Sequence, residues 1–319
     1  TVGSTYSKAG QRILIRANSD YQGLVSGGCL EGDLAERAKS VLESGEPAPV
    51  TYDMRDEADD IFGLGVGCNG MIRVFLQRLT LDDAYEPFSS IAKLLLSGKS
   101  WGVATVIRGD TDLVSGTTVV WDGSSAALHS VSGSASERLF AGCEAALAAG
   151  RAVYEIEDDG LEVLYSPLRP VPNLLVLGAG LDSVPVVSIA AELGWRISVA
   201  DHRPAYLDNN QFAAAERVVL VDPNALRREI AVEEFDAVIV MSHHLLSDQA
   251  YLSQVVDCDI PYIGVLGPHA RKERLLNALG EKGKHLAPVL KGPVGLDIGA
   301  DWPESIALSL VAEIHSVLK

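Results

Sequence analysis

The sequence predicts an α/β protein in two parts: an N-terminal α+β domain over residues 1–165, a linker over 166–172, and a doubly wound domain over 173–319. Three observations carry that expectation. Between Asn173 and Arg203 an apolar strand leads into a glycine turn, a helix and a second strand that ends on an acid. The stretch Ser166-Pro167-Leu168-Arg169-Pro170-Val171-Pro172 carries three prolines, which lack a backbone N–H and push the preceding residue away from helix. The first part, finally, contains two glycine loops with a cysteine in each, at Cys29 and Cys68.

In the first of these stretches, Leu174-Leu175-Val176-Leu177 is the strand and Gly178-Ala179-Gly180-Leu181-Asp182-Ser183 the turn. From Val184 to Leu193 apolar residues recur every three or four positions, as on one helix face, and Gly194 stops the helix. Trp195 to Ala200 reads as the next strand, and Asp201 follows about 20 residues after the glycines. That order is the Rossmann-like βαβ unit that binds dinucleotides. Gly178 and Gly180 would let the backbone approach a pyrophosphate, and the helix N-terminus would add unpaired N–H groups. Asp201 would accept from ribose hydroxyls, while Arg203 would suit a 2′-phosphate. Ser183 takes the place of the third glycine.

Composition narrows the function classes. The 319 residues hold 26 Lys and Arg against 43 Asp and Glu, a net charge of −17. Such a chain argues against a nucleic-acid partner, whose phosphates call for a basic face, and against an anionic membrane surface. A cytoplasmic protein is expected. No apolar run reaches the roughly 18 residues of a membrane span. Four cysteines in so long a chain do not make a disulfide scaffold, and no Cys-x-x-Cys pair occurs. Thr1-Val2-Gly3 opens as if in mid-element, which leaves room for an upstream strand.

Gln11 to Arg16 and Gln22 to Val25 flank Ala17-Asn18-Ser19-Asp20, the turn chemistry of a β-hairpin. Ser26-Gly27-Gly28-Cys29-Leu30-Glu31-Gly32-Asp33 then runs into a helix whose stripe is Leu34, Ala35, Ala38, Val41 and Leu42. A thiol at or near a helix start should have a depressed pKa, because the helix end favours negative charge. Val50 to Met54 and Met71 to Gln77 read as strands on either side of Ile61-Phe62-Gly63-Leu64-Gly65-Val66-Gly67-Cys68-Asn69-Gly70. Glycine at alternate positions strips one face of side chains, so the segment turns sharply or lets another group lie on its backbone. Cys29 and Cys68 together could share a soft metal, hold a sulfur atom or form a disulfide on oxidation; plain loop packing is the alternative. The domain is completed by a helix over Asp82 to Leu96, strands over Trp101 to Arg108, Thr117 to Trp121 and Ala126 to Ser130, a helix over Ser134 to Ala149, and strands over Val153 to Ile156 and Leu161 to Tyr165. Cys143 falls in the second of those helices and is expected in the core.

Beyond Asp201, Arg217 to Val221 and Asp236 to Met241 read as buried parallel strands. Ser242-His243-His244 leaves the second of them on the edge where open α/β sheets bind ligands, so His243 or His244 is a candidate for phosphate, proton or metal. After Pro261 to Gly267, Arg271 and Lys272 offer cations for an anion, with a solvated helix start as the equal reading. A last glycine-rich loop, Gly292 to Ala300, precedes the amphipathic helix Pro303 to Leu318.

Several of these stretches together resemble the xanthine dehydrogenase accessory family, XdhC or CoxI. They are Gly3-Ser4-Thr5 with Arg12, Gly27-Gly28-Cys29-Leu30-Glu31, Gly65-Val66-Gly67-Cys68-Asn69-Gly70, the Gly178-Ala179-Gly180 turn, Asp201-His202-Arg203, and Pro293 to Ala300 with Pro303 to Ala307. The resemblance implies a chaperone that receives the pterin-based molybdenum cofactor, as molybdopterin or its dinucleotide form, holds it during sulfur addition and passes it to a molybdenum hydroxylase apoenzyme. Xanthine dehydrogenase and CO dehydrogenase are such targets, and a cysteine desulfurase is an implied sulfur source. On that reading Cys29 and Cys68 approach molybdenum, Glu31 carries a proton, and Gly178, Gly180, Asp201, Arg203, His243 and Arg271 hold the phosphate end. An accessory binding protein is thus expected rather than an enzyme with its own turnover. The competing expectation is an NAD(P)-dependent oxidoreductase that uses the same glycine turn, and a homodimer is the base-rate assembly.

Overall fold

The computed structural model describes residues 1–55, 70–109, 113–124, 126–128, 134–207 and 210–319. The chain divides into two compact units, Thr1–Pro170 and Val171–Lys319.

In the first unit β1 (Val2–Gly3), β2 (Leu14–Ile15) and β3 (Tyr21–Gln22) precede α1 (Glu31–Ser44), β4 (Ala48–Asp53) and β5 (Gly70–Leu76). The expected hairpin survives only as the short β2–β3 pair, Leu14 opposite Gln22 and Ile15 opposite Tyr21. Val25, expected in its second strand, turns into the core with Leu34, Val41 and Leu76. Next come α2 (Phe88–Leu95), β6 (Trp101–Arg108), β7 (Thr118–Trp121), β8 (Ala126–Leu128), α3 (Ser134–Ala149), β9 (Val153–Ile156) and β10 (Glu162–Leu168). Helix α2 is shorter than its apolar pattern suggests because Pro87 disfavours helix in the residue before it. Beside the β2–β3 pair, the described residues form two larger sheets here, one ordered β1-β5-β4 and one ordered β8-β7-β6-β10-β9. Strand β10 runs through Pro167 into the proline-rich stretch. Its pairing with β9 ends at Tyr165, so the missing N–H of Pro167 faces no neighbour on that side. Helix α3 lies on the larger sheet, with Leu139, Cys143 and Ala146 against Ala104, Val106 and Val163.

The second unit is a parallel sheet clad on both faces. Its strands are β11 (Asn173–Leu177), β12 (Arg196–Asp201), β13 (Arg217–Leu220), β14 (Ala237–Val240), β15 (Tyr262–Val265) and β16 (Leu290–Lys291), in the order β13-β12-β11-β14-β15-β16. Its helices are α4 (Ser183–Glu192), the single turns α5 (Pro204–Leu207) and α6 (Leu226–Glu229), α7 (Leu245–Val255), α8 (His269–Leu279), α9 (Glu281–Leu286) and α10 (Pro303–Leu318). Because strand side chains alternate, Leu174 and Val176 face one core with Val186, Val187, Leu310 and Ile314. Leu175 and Leu177 face the other, with Tyr251, Leu252, Leu275 and Leu286. That two-sided burial is why the strands read as unbroken apolar runs. The chain crosses to one side after β11 and to the other before β14, so their C-terminal ends flank the switch-point crevice where such sheets take ligands. Among the described residues no helix is long and apolar enough to cross a membrane.

Candidate functional site

The glycine turn is built around close approach. Gly178 has φ +129°, and a Cβ there would stand 2.5 Å from the Met241 carbonyl oxygen at the end of β14. The next residue, Ala179, donates its N–H to Asp201 Oδ2 at 2.7 Å. Asp201 is solvent-inaccessible and also accepts from Arg203: its N–H and Nε reach Oδ1 at 2.9 Å, and its Nη2 reaches Oδ2 at 2.7 Å. Burial alone would raise this carboxyl's pKa, but the guanidinium and the two backbone donors outweigh it and hold the pKa below the usual carboxylate value. Arg203 lies in turn over the Tyr206 ring, 3.8 Å from its centroid. Asp201 therefore fastens the glycine turn to the end of β12, and its acceptor capacity is largely spent there.

Across the crevice, His243 follows β14 with φ +60°, and its Nε2 lies 2.7 Å from Asp182 Oδ2. A Cβ on Gly180 would meet Asp182 Oδ1 at 2.5 Å, so this carboxylate is folded back over the second glycine. Beside it, the buried Asp248 accepts from Ser242 Oγ at 2.5 Å and from Arg271 Nε and Nη2 at 3.1 and 2.5 Å. A Cβ on Gly267 would lie 2.6 Å from Arg271 Cδ, so the glycine makes room for that arginine to cross to Asp248. His244 caps α7, its Nδ1 accepting from the Ser247 N–H at 3.4 Å. Its ring stands 6.4 Å from that of His202, centroid to centroid.

In the first unit, Gly27 and Gly28 take φ +78° and +110°, a reversal that glycine permits without strain. The loop closes on the solvent-inaccessible carboxylate of Glu31. It accepts from the N–H groups of Val25 and Ser26 at 2.8 Å, Ser26 Oγ at 2.5 Å, Gly28 N–H at 3.0 Å and Leu30 N–H at 3.2 Å. Burial works against ionisation here, but the Ser26 hydroxyl and the backbone donors bring the pKa down to about 2. The result is a backbone cage around one anion. Cys29 sits on it, half-buried, with Sγ 3.5 Å from the Ser26 carbonyl oxygen. Cys68 lies outside the described residues. Cys143 is buried, and burial pushes its thiol pKa up to about 12.

The structure thus gathers Gly178, Gly180, Asp201, Arg203 and His243 round one crevice, with Arg271 turned to Asp248 at its margin. Sequence reasoning missed Asp182, His202 and Asp248. Asp182 was within the glycine motif and signals itself as an acid where an anion cradle is expected. Asp248, a lone acid three residues into a helix, gave no sign of its burial. Among the described residues no group of three or more His, Cys, Asp and Glu side chains is placed to hold a metal ion.

Comparison with known proteins agrees with this architecture. Residues 174–314 match the XdhC Rossmann domain, and residues 1–53 match the XdhC and CoxI family. A Bacillus subtilis (strain 168) protein named as a probable xanthine dehydrogenase subunit is 32% identical over 99% of this chain and 90% of its own length. The molybdenum cofactor insertion chaperone PaoD of Escherichia coli (strain K12) is 23% identical over 99% of this chain and 80% of its own. A crystal structure of a Bacillus halodurans protein described as a xanthine dehydrogenase superposes with a TM-score of 0.77 at 30% identity, covering 99% of this chain and 88% of that one. With near-complete overlap at that identity, and the glycine turn inside the matched region, the chain belongs to the XdhC and CoxI family.

Proposed function

We propose that the protein binds the molybdenum cofactor, holds it through maturation and delivers it to a molybdenum hydroxylase apoenzyme such as xanthine dehydrogenase or CO dehydrogenase. The observation that carries this reading is the Glu31-centred loop, which spends a buried carboxylate and five donors to hold one half-buried thiol, Cys29, at a helix start. A soft sulfur ligand suits a metal–dithiolene group. Two full-length relatives named for xanthine dehydrogenase and for cofactor insertion support the same role. Cys29 is the proposed contact to molybdenum or to a sulfur in transit, with Cys68 as the second thiol and a cysteine desulfurase as the donor. Glu31, caged and ionised, serves the loop's shape rather than proton traffic. Gly178, Gly180, His243 and Arg203 form the proposed cradle for the phosphate end, with Asp201 holding the turn and Arg271 at the margin. A homodimer in the cytoplasm is the proposed working state.

An NAD(P)-dependent oxidoreductase fits less well, because the carboxylate that would take ribose hydroxyls is buried and paired. Titration of the purified protein with extracted molybdenum cofactor and, separately, with NAD and NADP decides between them. Cofactor binding that weakens in Cys29→Ala is expected. Tight dinucleotide binding with no cofactor binding would overturn the proposal.

A further inference from the structure

Beside the crevice, the C-terminal ends of β12 and β13 and the first turns of α7 border an open cleft of about 530 Å³, a volume within the range of small-molecule sites. Its walls include His202, Pro223, Asn224, His244, Ser247 and Ala250. The two imidazoles, 6.4 Å apart centroid to centroid, are tilted by 42° and meet at a corner of this wall.

The polar atoms in this corner are unfinished. His202 Nδ1 is buried and makes no hydrogen bond; its charged neighbour is Asp201 Oδ1 at 3.4 Å, an ion pair when the imidazole carries its second proton. His244 Nδ1 is engaged by Ser247, 3.0 Å from its Oγ and 3.4 Å from its backbone nitrogen, so Nε2 is the ring nitrogen left to meet a ligand, as a donor when Nδ1 accepts. The Asn224 amide nitrogen is turned to Asp222 Oδ1 at 3.2 Å, leaving its oxygen as an acceptor. A donor and an acceptor held at the edge of an imidazole wall, over the apolar Pro223 and Ala250, complement a ring that alternates the two along one edge.

We propose that this cleft binds a flat, nitrogen-bearing heterocycle, the pterin of the cofactor or the nucleobase of its dinucleotide form. The inference rests on the cofactor reading above and deepens it: the phosphate end occupies the glycine crevice and a ring the neighbouring corner, both within the second unit.

Calorimetric titration with a soluble pterin, CMP, GMP, inorganic pyrophosphate and extracted molybdenum cofactor tests this on the full chain. Three proteins are compared: the unaltered chain, Ala250→Trp, which fills the cleft, and His244→Asn, which keeps a good helix cap but removes the ring. Thermal melting of each confirms that it is folded. The expected result is saturable binding of the pterin or of one nucleotide, weakened at least about fivefold in both variants, as loss of a stacking and hydrogen-bonding ring commonly does. The tighter of the two classes identifies which ring the cleft holds. If intact cofactor binds while no heterocycle does, or if both variants bind as the unaltered chain does, the cleft assignment is overturned and the cofactor reading stands. If neither heterocycle nor intact cofactor binds, both fall together.

Discussion

The Asp182 carboxylate bends back over Gly180 and meets Nε2 of His243 at 2.7 Å, so that an acid from the glycine turn spans the crevice to the residue after β14. A negative charge thus rests where the phosphate end of a ligand is proposed to lie, and it draws on the imidazole that would otherwise face that ligand.

Removing this charge should therefore help an anion bind. Two like charges about 4 Å apart repel by about 1 kcal/mol in a water-like dielectric, which corresponds to about fivefold in affinity. Asp182→Ala is expected to bind inorganic pyrophosphate about fivefold tighter by calorimetry at low salt, with the gain shrinking as ionic strength rises. Equal affinities for the two proteins would place the anion elsewhere.

Glu31 makes a prediction about acid. Its folded pKa of about 2 lies below that of an unfolded carboxyl, so its contribution is complete above about pH 5 and disappears as the pH falls towards the folded value. A shift of this size corresponds to stability on the order of 3 kcal/mol. Glu31→Gln keeps the shape but gives up charge and one acceptor. It should lower the melting temperature at pH 7, and it should flatten the drop in stability that the unaltered chain undergoes between about pH 5 and pH 2. A steep acid transition retained in the variant would assign that transition to other carboxylates.

These cases mark what was legible beforehand. Periodicity was enough for α3, β9 and α10, and the Leu174 to Asp201 stretch announced its strand, turn, helix and strand because each step has a local cause: an apolar run, bare glycines, a three-to-four repeat and a stop at Gly194. Asp201 and Glu31 were visible as acids in suggestive places. Their internal use was not, since it depends on which backbone N–H groups a folded loop turns towards them. The same limit hid Asp248, whose partner Arg271 lies 23 residues away and reaches it only because Gly267 leaves a gap.

Arg203 and Asp201 predict an asymmetric pair of variants. Arg203→Ala strands a solvent-inaccessible carboxylate and should cost about 3 kcal/mol by denaturant unfolding; Asp201→Asn, which removes the buried charge along with its partner's role, should cost less. Because the Asp201 pKa is lowered by folding, the stability it provides is present above the usual carboxylate range and is lost as the pH falls below it. In the Asp201→Asn protein that part of the acid dependence should vanish. A larger loss from Asp201→Asn than from Arg203→Ala would contradict the burial argument.

The two glycines of the turn should separate structure from binding. At Gly178 an alanine would need φ +129° and would drive its methyl to 2.5 Å from the Met241 carbonyl oxygen, a backbone atom of a central strand that cannot give way. Gly178→Ala is expected to cost about 2–3 kcal/mol in unfolding free energy. At Gly180 the obstacle is Asp182 Oδ1, the far end of a side chain that can rotate off, so Gly180→Ala should unfold within about 1 kcal/mol of the unaltered chain. Its methyl would nevertheless stand where the phosphate is proposed to approach, and pyrophosphate affinity should fall. In an Asp182→Ala background the small stability cost of Gly180→Ala should disappear, because its cause is gone, whereas the loss of anion affinity should persist. Calorimetry and denaturant unfolding on the four proteins of that cycle distinguish the two effects; an affinity unchanged by the Gly180 methyl would remove this glycine from the cradle.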